Sequence, residues 1–262
     1  MPTATNKHGN GNGIYQPPPK RTASPWNPPP LTPLSLRGVK PSTPISARLL
    51  TPSLAEEIRL LLPPRLQLVD EWTLAYSVEQ DGTSLATLYS KCERYQGKRS
   101  GFVLVVKDGD GGIFGAYLSD APHPSSHYYG TGECFLWRCT ILPPLGSHAL
   151  PHLSSLPPPP SSDIEPTRST TISAQSTTSS GTSTPRIRFK AFPYSGINDY
   201  MLFCEHSYLS VGGGDGHYGL WLDDVMERGV SSGCPTFGNE PLSTEGDKFD
   251  VLGVECWWVG SG

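Results

Sequence analysis

Residues 209–224 read LSVGGGDGHYGLWLDD, and this stretch decides the fold. Residues 214–219 within it have the spacing G-x-G-x-x-G, which binds a dinucleotide pyrophosphate when a helix follows the glycines. The residues that follow here, YGLWLDD, alternate as a strand does. A strand offers no helix N-terminus to a phosphate group. The stretch therefore predicts a hairpin-like connection whose glycines adopt φ > 0 or let two backbones approach closely.

The rest of the second half also predicts strands. Apolar residues dominate or alternate in four further segments, RIRFKAF, DYMLFCEH, SYLSVG and FDVLGVECWWV. Several of them are apolar on both sides, as strands within a layered core are.

The first half mixes helices with strands. Pro52 suits the first turn of a helix, Ser53 and Glu56 have the spacing of a capping box, and prolines 63 and 64 end the segment. A second helix is predicted for TSLATLYSKCERY, which has one apolar face. EWTLAYS alternates as a strand, GFVLVVKDGDGGIFGAYLSD predicts a hairpin, and ECFLWRCTIL predicts another strand.

Together these segments predict an α+β fold that is mainly β, or a β-sandwich with helices packed on it. Residues 1–50 are rich in proline and predict a disordered tail, which is also a candidate targeting segment. Residues 143–185 form a second Ser/Pro-rich tract that lacks the apolar residues to offset its ordering entropy. The strands of the second half alone have no obvious partner layer. We therefore predict one domain, residues 51–262, with residues 143–185 as a disordered insertion.

The charge distribution disfavours nucleic acid as a partner. The first 55 residues carry six basic side chains and no acidic one. The remainder carries 14 basic and 24 acidic residues, a net charge of −10. Phosphate recognition needs a basic face, which this composition does not supply. No apolar run approaches the roughly 18 residues that a membrane span needs.

The six cysteines form no C-x-x-C pair, and buried, unreactive thiols in a reducing compartment are predicted. Cys204 precedes Glu205 and His206, and Cys234 lies in a Gly/Pro-rich segment, so these two thiols are the redox candidates. Cys134 and Cys139 have opposite parity on one predicted strand and should face opposite sides.

Two apparent metal motifs lack the context that metal binding requires. The segment DGDGG at residues 108–112 begins like a calcium loop, but the glycine and glutamate expected later in such a loop are absent, so a hairpin turn is predicted. His123 and His127 have i,i+4 spacing, but Pro122 and Pro124 exclude a helix. No metal site, cofactor site or catalytic group is predicted.

Taken together, the segments resemble the TLDc domain. The resemblance rests on G-T-G-E at residues 130–133, G-G-G-x-G-x-x-G-L-W-L-D at 212–223 and C-x-T-F-G-N at 234–239. The motif positions that the resemblance marks as candidate partner contacts are Gly130, Gly132, Glu133, Gly212, Gly213, Gly214, Gly216 and Asp223. The long insertion and the extra basic pair at residues 98–99 depart from the family pattern.

The resemblance implies a sandwich of two antiparallel sheets with flanking helices, and a role in protection against oxidative damage. It further implies a non-enzymatic interaction module that regulates a protein partner such as the vacuolar-type proton ATPase. The alternative is a thiol-based antioxidant that acts directly through an exposed cysteine. By resemblance, a mitochondrial location is expected, with the cytoplasm or the vacuolar surface as alternatives.

Overall fold

The computed structural model describes residues 31–142, 169–172 and 186–260. Within these ranges the chain forms four short α-helices, α1 (Pro52–Arg59), α2 (Pro64–Gln67), α3 (Val78–Asp81) and α4 (Leu85–Glu93), and one 3-10 helix (Ile45–Ala47). The strands are β1 (Ser35–Arg37), β2 (Glu71–Ser77), β3 (Gly101–Asp108), β4 (Ile113–Leu118), β5 (Phe135–Leu142), β6 (Ser169–Ile172), β7 (Arg186–Pro193), β8 (Leu202–Cys204), β9 (Tyr208–Gly214), β10 (His217–Asp223), β11 (Arg228–Val230) and β12 (Lys248–Val259). The fold is mainly β with few helices, as predicted, and its elements belong to one compact unit, Thr32–Gly262.

The strands form two groups that share β12. Its first residues pair with β11 and continue the order β11-β10-β9-β8, whereas its later residues lie between β2 and β3 and continue the order β3-β4-β5-β7-β6. The register of β12 shifts between Val251 and Gly253, near the point where it passes from one group to the other. All pairings between strands are antiparallel except that of β1 with β2.

One part of the core lies between these two groups of strands. A second part covers the opposite face of the larger group, which contains β3 and β5. Leu104 of β3 and Leu136 of β5 belong to the same buried cluster as Val211 of β9 and Leu220 of β10. A second cluster packs α1 and α2 onto the opposite face of β2, β3 and β5, around the fully buried Trp137. Burial of this apolar surface on both faces stabilises a fold whose helices are too short to be stable alone.

The first helix begins where the sequence predicts it, but its cap differs. Pro52 is the first residue of α1, and the hydroxyl of Thr51 accepts a hydrogen bond from the Leu54 amide at 3.3 Å. The predicted capping box is wrong, because the Glu56 carboxylate accepts instead from the amide of Leu34 at 2.7 Å. The glutamate thereby ties the helix to the chain that precedes it.

The predicted tail boundary at residue 50 is also wrong. β1 pairs in parallel with β2, and the amides of Leu49 and Leu50 donate to the carboxylate of Glu255 at 2.9 and 3.1 Å. Glu255 also accepts from the indole of Trp257 at 2.9 Å, and burial raises its pKa above the ordinary value. These partners come from distant parts of the chain, so local composition did not reveal them. Residues 1–30 lie outside the described residues.

The predicted insertion coincides with the break between two paired strands. β5 ends at Leu142 and β7 begins at Arg186, which are the neighbours of the predicted limits. Within the insertion, β6 pairs antiparallel with β7, so its four residues form a strand where none was predicted. The other residues of the insertion lie outside the described part of the chain.

Candidate functional site

The glycine-rich stretch forms the hairpin between β9 and β10. Gly214 pairs with His217, which leaves Asp215 and Gly216 as a two-residue turn with φ of +54° and +79°. Positive φ at both central residues is the requirement of a type I′ hairpin turn. A strand follows the turn, so the predicted hairpin is confirmed, and the chain here lacks the helix that a dinucleotide site requires.

Gly212 packs against the loop that carries the C-x-T-F-G-N motif. Its φ is +77°, and a Cβ at this position would lie 2.6 Å from the ring of Phe237 and 2.9 Å from Sγ of Cys234. A side chain at residue 212 would therefore meet both backbone strain and steric overlap. The two motifs, which begin at Gly212 and Cys234, thus form one packed unit.

Hydrogen bonds join the same two segments. The hydroxyl of Thr236 accepts from the Gly213 amide at 3.0 Å and lies 2.8 Å from the Gly213 carbonyl. The side-chain amide of Asn198 donates to that carbonyl at 3.2 Å. The Asn239 side chain accepts from the Cys234 amide at 3.2 Å and donates to the Ser232 carbonyl at 2.8 Å. Buried polar groups are therefore paired within this network.

The G-T-G-E segment has a separate role. Gly130 adopts a φ of +93° against Leu202, and a Cβ on Gly132 would lie 2.7 Å from the ring of Tyr194. The Glu133 carboxylate forms a two-point ion pair with the Arg65 guanidinium at 2.5 and 2.6 Å. This pair lowers the pKa of Glu133 below its usual value. The described contacts of Glu133 thus connect the segment to α2.

Asp223 closes a third turn. Its carboxylate accepts from the amides of Glu227 and Arg228 at 2.9 and 3.2 Å and so shapes the connection from β10 to β11. The eight predicted motif positions therefore serve three distinct turns or loops. Each has a structural role that the geometry explains, and their described contacts do not assemble a reactive centre.

Comparison with known families agrees with this arrangement. The model of the TLDc domain matches residues 44–143 and 174–260, which is most of the chain, and the gap between the two parts falls within the predicted insertion.

The chain belongs to the TLDc-domain family.

Its curated relatives include fungal proteins named "Oxidation resistance protein 1". The protein of Podospora anserina is 60% identical over 205 residues, which cover 76% of this chain and 56% of the relative. That of Neurospora crassa is 50% identical over 246 residues, with 76% and 60% covered, and that of Saccharomyces cerevisiae is 42% identical over 202 residues, with 76% and 68% covered. The chain spans about 60% of the length of the first two.

The redox candidates of this TLDc domain are buried. Cys204 has no exposed surface and Cys234 is 3% exposed. Burial raises the pKa of both thiols above the ordinary value, which disfavours the thiolate that reacts with peroxide. Cys204 accepts a hydrogen bond from the Tyr129 hydroxyl at 3.1 Å. The hypothesis that either residue is an exposed nucleophile is therefore wrong, because the strand that carries Cys204 turns this thiol into the core.

Among the remaining thiols, Cys92, Cys134 and Cys256 are buried as predicted, whereas Cys139 is only half-buried. Cys92 and Cys256 are fully buried with their sulfurs 3.7 Å apart, and all six cysteines are free. Cys134 belongs to the buried cluster between the two groups of strands, whereas Cys139 packs against the cluster beneath α1 and α2. The prediction that these two thiols face opposite sides is therefore confirmed. Within residues 31–142, 169–172 and 186–260, no group of three potential ligands is placed to hold a metal ion. No helix in the described part is both long and apolar enough to cross a membrane.

Sequence reasoning missed a cluster of aromatic side chains on the outward side of β8–β10, beside the glycine-rich hairpin. The rings form a connected series, beginning with Tyr128 stacked on Tyr200 at 4.4 Å between centroids. Tyr128 is 39% exposed and Tyr200 is 43% exposed. We call this cluster the aromatic surface; its members are Tyr128, Tyr200, Phe203, Tyr208, Tyr218 and Trp221.

The aromatic surface is connected to the family motif through Gly213. A Cβ at residue 213 would lie 3.3 Å from the Tyr128 hydroxyl and 3.7 Å from Cβ of Tyr200. The backbone of the hairpin thus packs against Tyr128 and Tyr200, the two most exposed rings of the surface. The only sequence signal for this arrangement was the density of aromatic residues around the hairpin, because the rings come from different elements.

Proposed function

We propose that this chain protects the cell against oxidative damage as a non-enzymatic protein-interaction module. Membership in the TLDc family supports the protective role, as does the name "Oxidation resistance protein 1" that its fungal relatives carry. The observation that carries the interaction mechanism is the aromatic surface, held on an ordered hairpin while the thiols point inward. Exposed tyrosine and tryptophan side chains are typical of binding hot spots.

The proposed partner is a subunit assembly of the vacuolar-type proton ATPase, whose activity or assembly the chain regulates. The resemblance to the TLDc domain is the basis of this choice. The proposed location is the mitochondrion, with the cytoplasm and the vacuolar surface as alternatives. A C-terminal fluorescent tag distinguishes these locations, provided that the tagged copy still functions, since β12 ends close to the C-terminus.

A rescue experiment tests the protective role. The full chain is expressed in a Saccharomyces cerevisiae strain that lacks its own relative, and survival after hydrogen peroxide is counted. We expect survival to rise toward that of the wild-type strain. Survival equal to that of the empty vector, with the chain present and folded, contradicts the proposal.

The same cells test whether the mechanism is enzymatic. After brief peroxide treatment, mass spectrometry of the purified chain reports the oxidation state of all six cysteines. We expect them to remain reduced while survival is restored, because burial raises the pKa of Cys204 and Cys234. Rapid formation of sulfenic acid or a disulfide would instead favour a direct thiol mechanism.

Affinity capture tests the partner and the surface together. Tagged wild-type chain should recover subunits of the vacuolar-type ATPase from lysate, and the double variant Tyr128→Ser/Tyr200→Ser should lose them. Leu68→Ser is the matched control, since this side chain is 74% exposed but lies just after α2. Recovery of the subunits by both variants would assign binding to another surface, and recovery by none would reject this partner.

A further inference from the structure

Most of the aromatic surface lies in an acidic part of the second half of the chain. Residues 196–228 contain six acidic residues and one basic residue, Arg228. None of the six carboxylates forms an ion pair with a described residue. The acidic residues are Asp199, Glu205, Asp215, Asp223, Asp224 and Glu227.

Two of these carboxylates lie beside the rings. Asp223 is directly opposite Tyr208 in the pairing of β9 with β10. Glu205 is close to the Tyr208 hydroxyl. Burial is the main cause that raises the pKa of Tyr208 to about 12, and the negative charge of Glu205 is the second. A third acid, Asp199, precedes Tyr200 in the chain, and its carboxylate accepts a hydrogen bond from the Tyr194 hydroxyl at 3.0 Å. Carboxylates therefore lie at the edge of the aromatic surface around Tyr208.

Both groups attract cations. The face of an aromatic ring carries negative electrostatic potential and binds Lys or Arg within about 6 Å of its centroid. Carboxylates at the edge add charge pairing and repel acidic partners. Arginine fits this combination best, because its planar guanidinium stacks on rings and pairs with carboxylates.

We propose that the aromatic surface binds a basic, arginine-bearing segment of a partner protein. Guanidinium groups stack on Tyr128 and Tyr200, and neighbouring basic side chains pair with Glu205 and Asp223. This inference rests on the proposed function and adds to it the chemistry of the partner. An acidic segment is excluded from the surface by like-charge repulsion.

The groove next to the aromatic surface does not change this preference. It has a volume of about 560 Å³ and adjoins the surface at Trp221. Two acidic residues, Glu245 and Asp250, line it together with two basic residues, Arg228 and Lys248. Its charges balance, so the sign of the partner is set by the carboxylates around the rings.

Synthetic peptides test the proposal without knowledge of the partner. A fluorescein-labelled 12-residue peptide of alternating Arg and Ser is titrated with the full chain, and anisotropy gives its affinity. Peptides with Lys, citrulline or Glu in place of Arg are the comparisons. We expect the order Arg, then Lys, then citrulline, with no binding of the Glu peptide, and weaker binding of the Arg peptide as salt rises.

Variants locate the binding site. Tyr128→Leu/Tyr200→Leu keeps apolar bulk but removes two ring faces, and we expect about a tenfold loss of affinity for the Arg peptide. Glu205→Gln should weaken binding about threefold, whereas Glu93→Gln, a matched exposed acid on α4, should leave it unchanged. Circular dichroism confirms folding, and Tyr200→Leu alone serves if the double variant is unstable.

The outcomes separate this inference from the proposed function. Equal binding of the Arg and Glu peptides, or unchanged binding by the tyrosine variants, overturns the inference. Recovery of pump subunits without any binding of the Arg peptide rejects only the basic-partner chemistry. Peptide binding without peroxide rescue supports the surface and rejects the protective role.

Discussion

The two sides of strands β8–β10 differ in how much change they tolerate. On the inner side, Gly212 touches Phe237 and Cys234 so closely that one added methyl group has no room. On the outer side, Tyr128 and Tyr200 are about two-fifths exposed and stack on each other. The family motif is thus explained by packing, while the residues placed for binding lie beside it. Substitutions on the two sides should therefore separate stability from binding.

The largest effect is expected for Gly212→Ala. An alanine there adopts φ of +77° and overlaps with Phe237, which together should cost roughly 3 kcal/mol of unfolding free energy. Denaturant unfolding measures this difference. Gly213→Ala is the control, because φ at this residue is not positive and its nearest contact is the Tyr128 hydroxyl at 3.3 Å. Equal loss in the two variants would contradict the packing explanation.

A smaller loss is expected for Asn239→Ala. The substitution leaves the Cys234 amide and the Ser232 carbonyl buried without their side-chain partner, which should cost about 2 kcal/mol. Thermal unfolding checks the value, and binding to the Arg peptide should persist below the melting temperature. A stable variant that no longer binds would place the motif loop in the interface instead.

The outer side should respond in the opposite way. Tyr200→Ala removes a half-exposed ring stacked on Tyr128, so the unfolding free energy should fall by only about 1 kcal/mol. Capture of the partner should fall much more than stability does. If the variant unfolds while binding per folded molecule is unchanged, the distinction between the two sides is lost.

The smallest effect is expected at the Arg65–Glu133 ion pair, because both of its side chains are partly exposed. Glu133→Gln should cost less than about 1 kcal/mol near pH 7. Arg65 lowers the pKa of Glu133 in the folded protein. The ion pair therefore contributes to the free energy of unfolding above the ordinary glutamate pKa of 4.5, and this contribution is lost as the pH falls through the lowered pKa. Unfolding curves of the wild type and the variant should therefore converge in acid. A constant difference down to pH 3 would contradict the ion-pair explanation.

Much of the fold was predictable from local patterns. Alternation in EWTLAYS predicted β2, the apolar face of TSLATLYSKCERY predicted α4, and the strand after the glycines predicted the hairpin. β1 and the true cap of α1 were not predicted. β1 has no local signal, because its partner β2 lies 36 residues further along the chain. The cap of α1 is local, since the hydroxyl of Thr51 accepts from the Leu54 amide, but the capping-box spacing favoured Ser53 instead.

The candidate site was predictable in its motifs but not in its binding surface. Glu133 was recognised as a motif position, yet its partner Arg65 lies 68 residues away. The six rings of the aromatic surface come from two connecting segments and three strands, so no sequence period joins them.

By itself, the sequence determined the hairpin, the mainly β fold and membership in the TLDc family, because turn chemistry and strand alternation act between near neighbours. Only the tertiary structure decided that Cys204 and Cys234 are buried and that tyrosines from separate segments stack beside the glycines. Burial and stacking depend on which distant segments meet. That choice is made by the packing of the whole core, which no local pattern encodes.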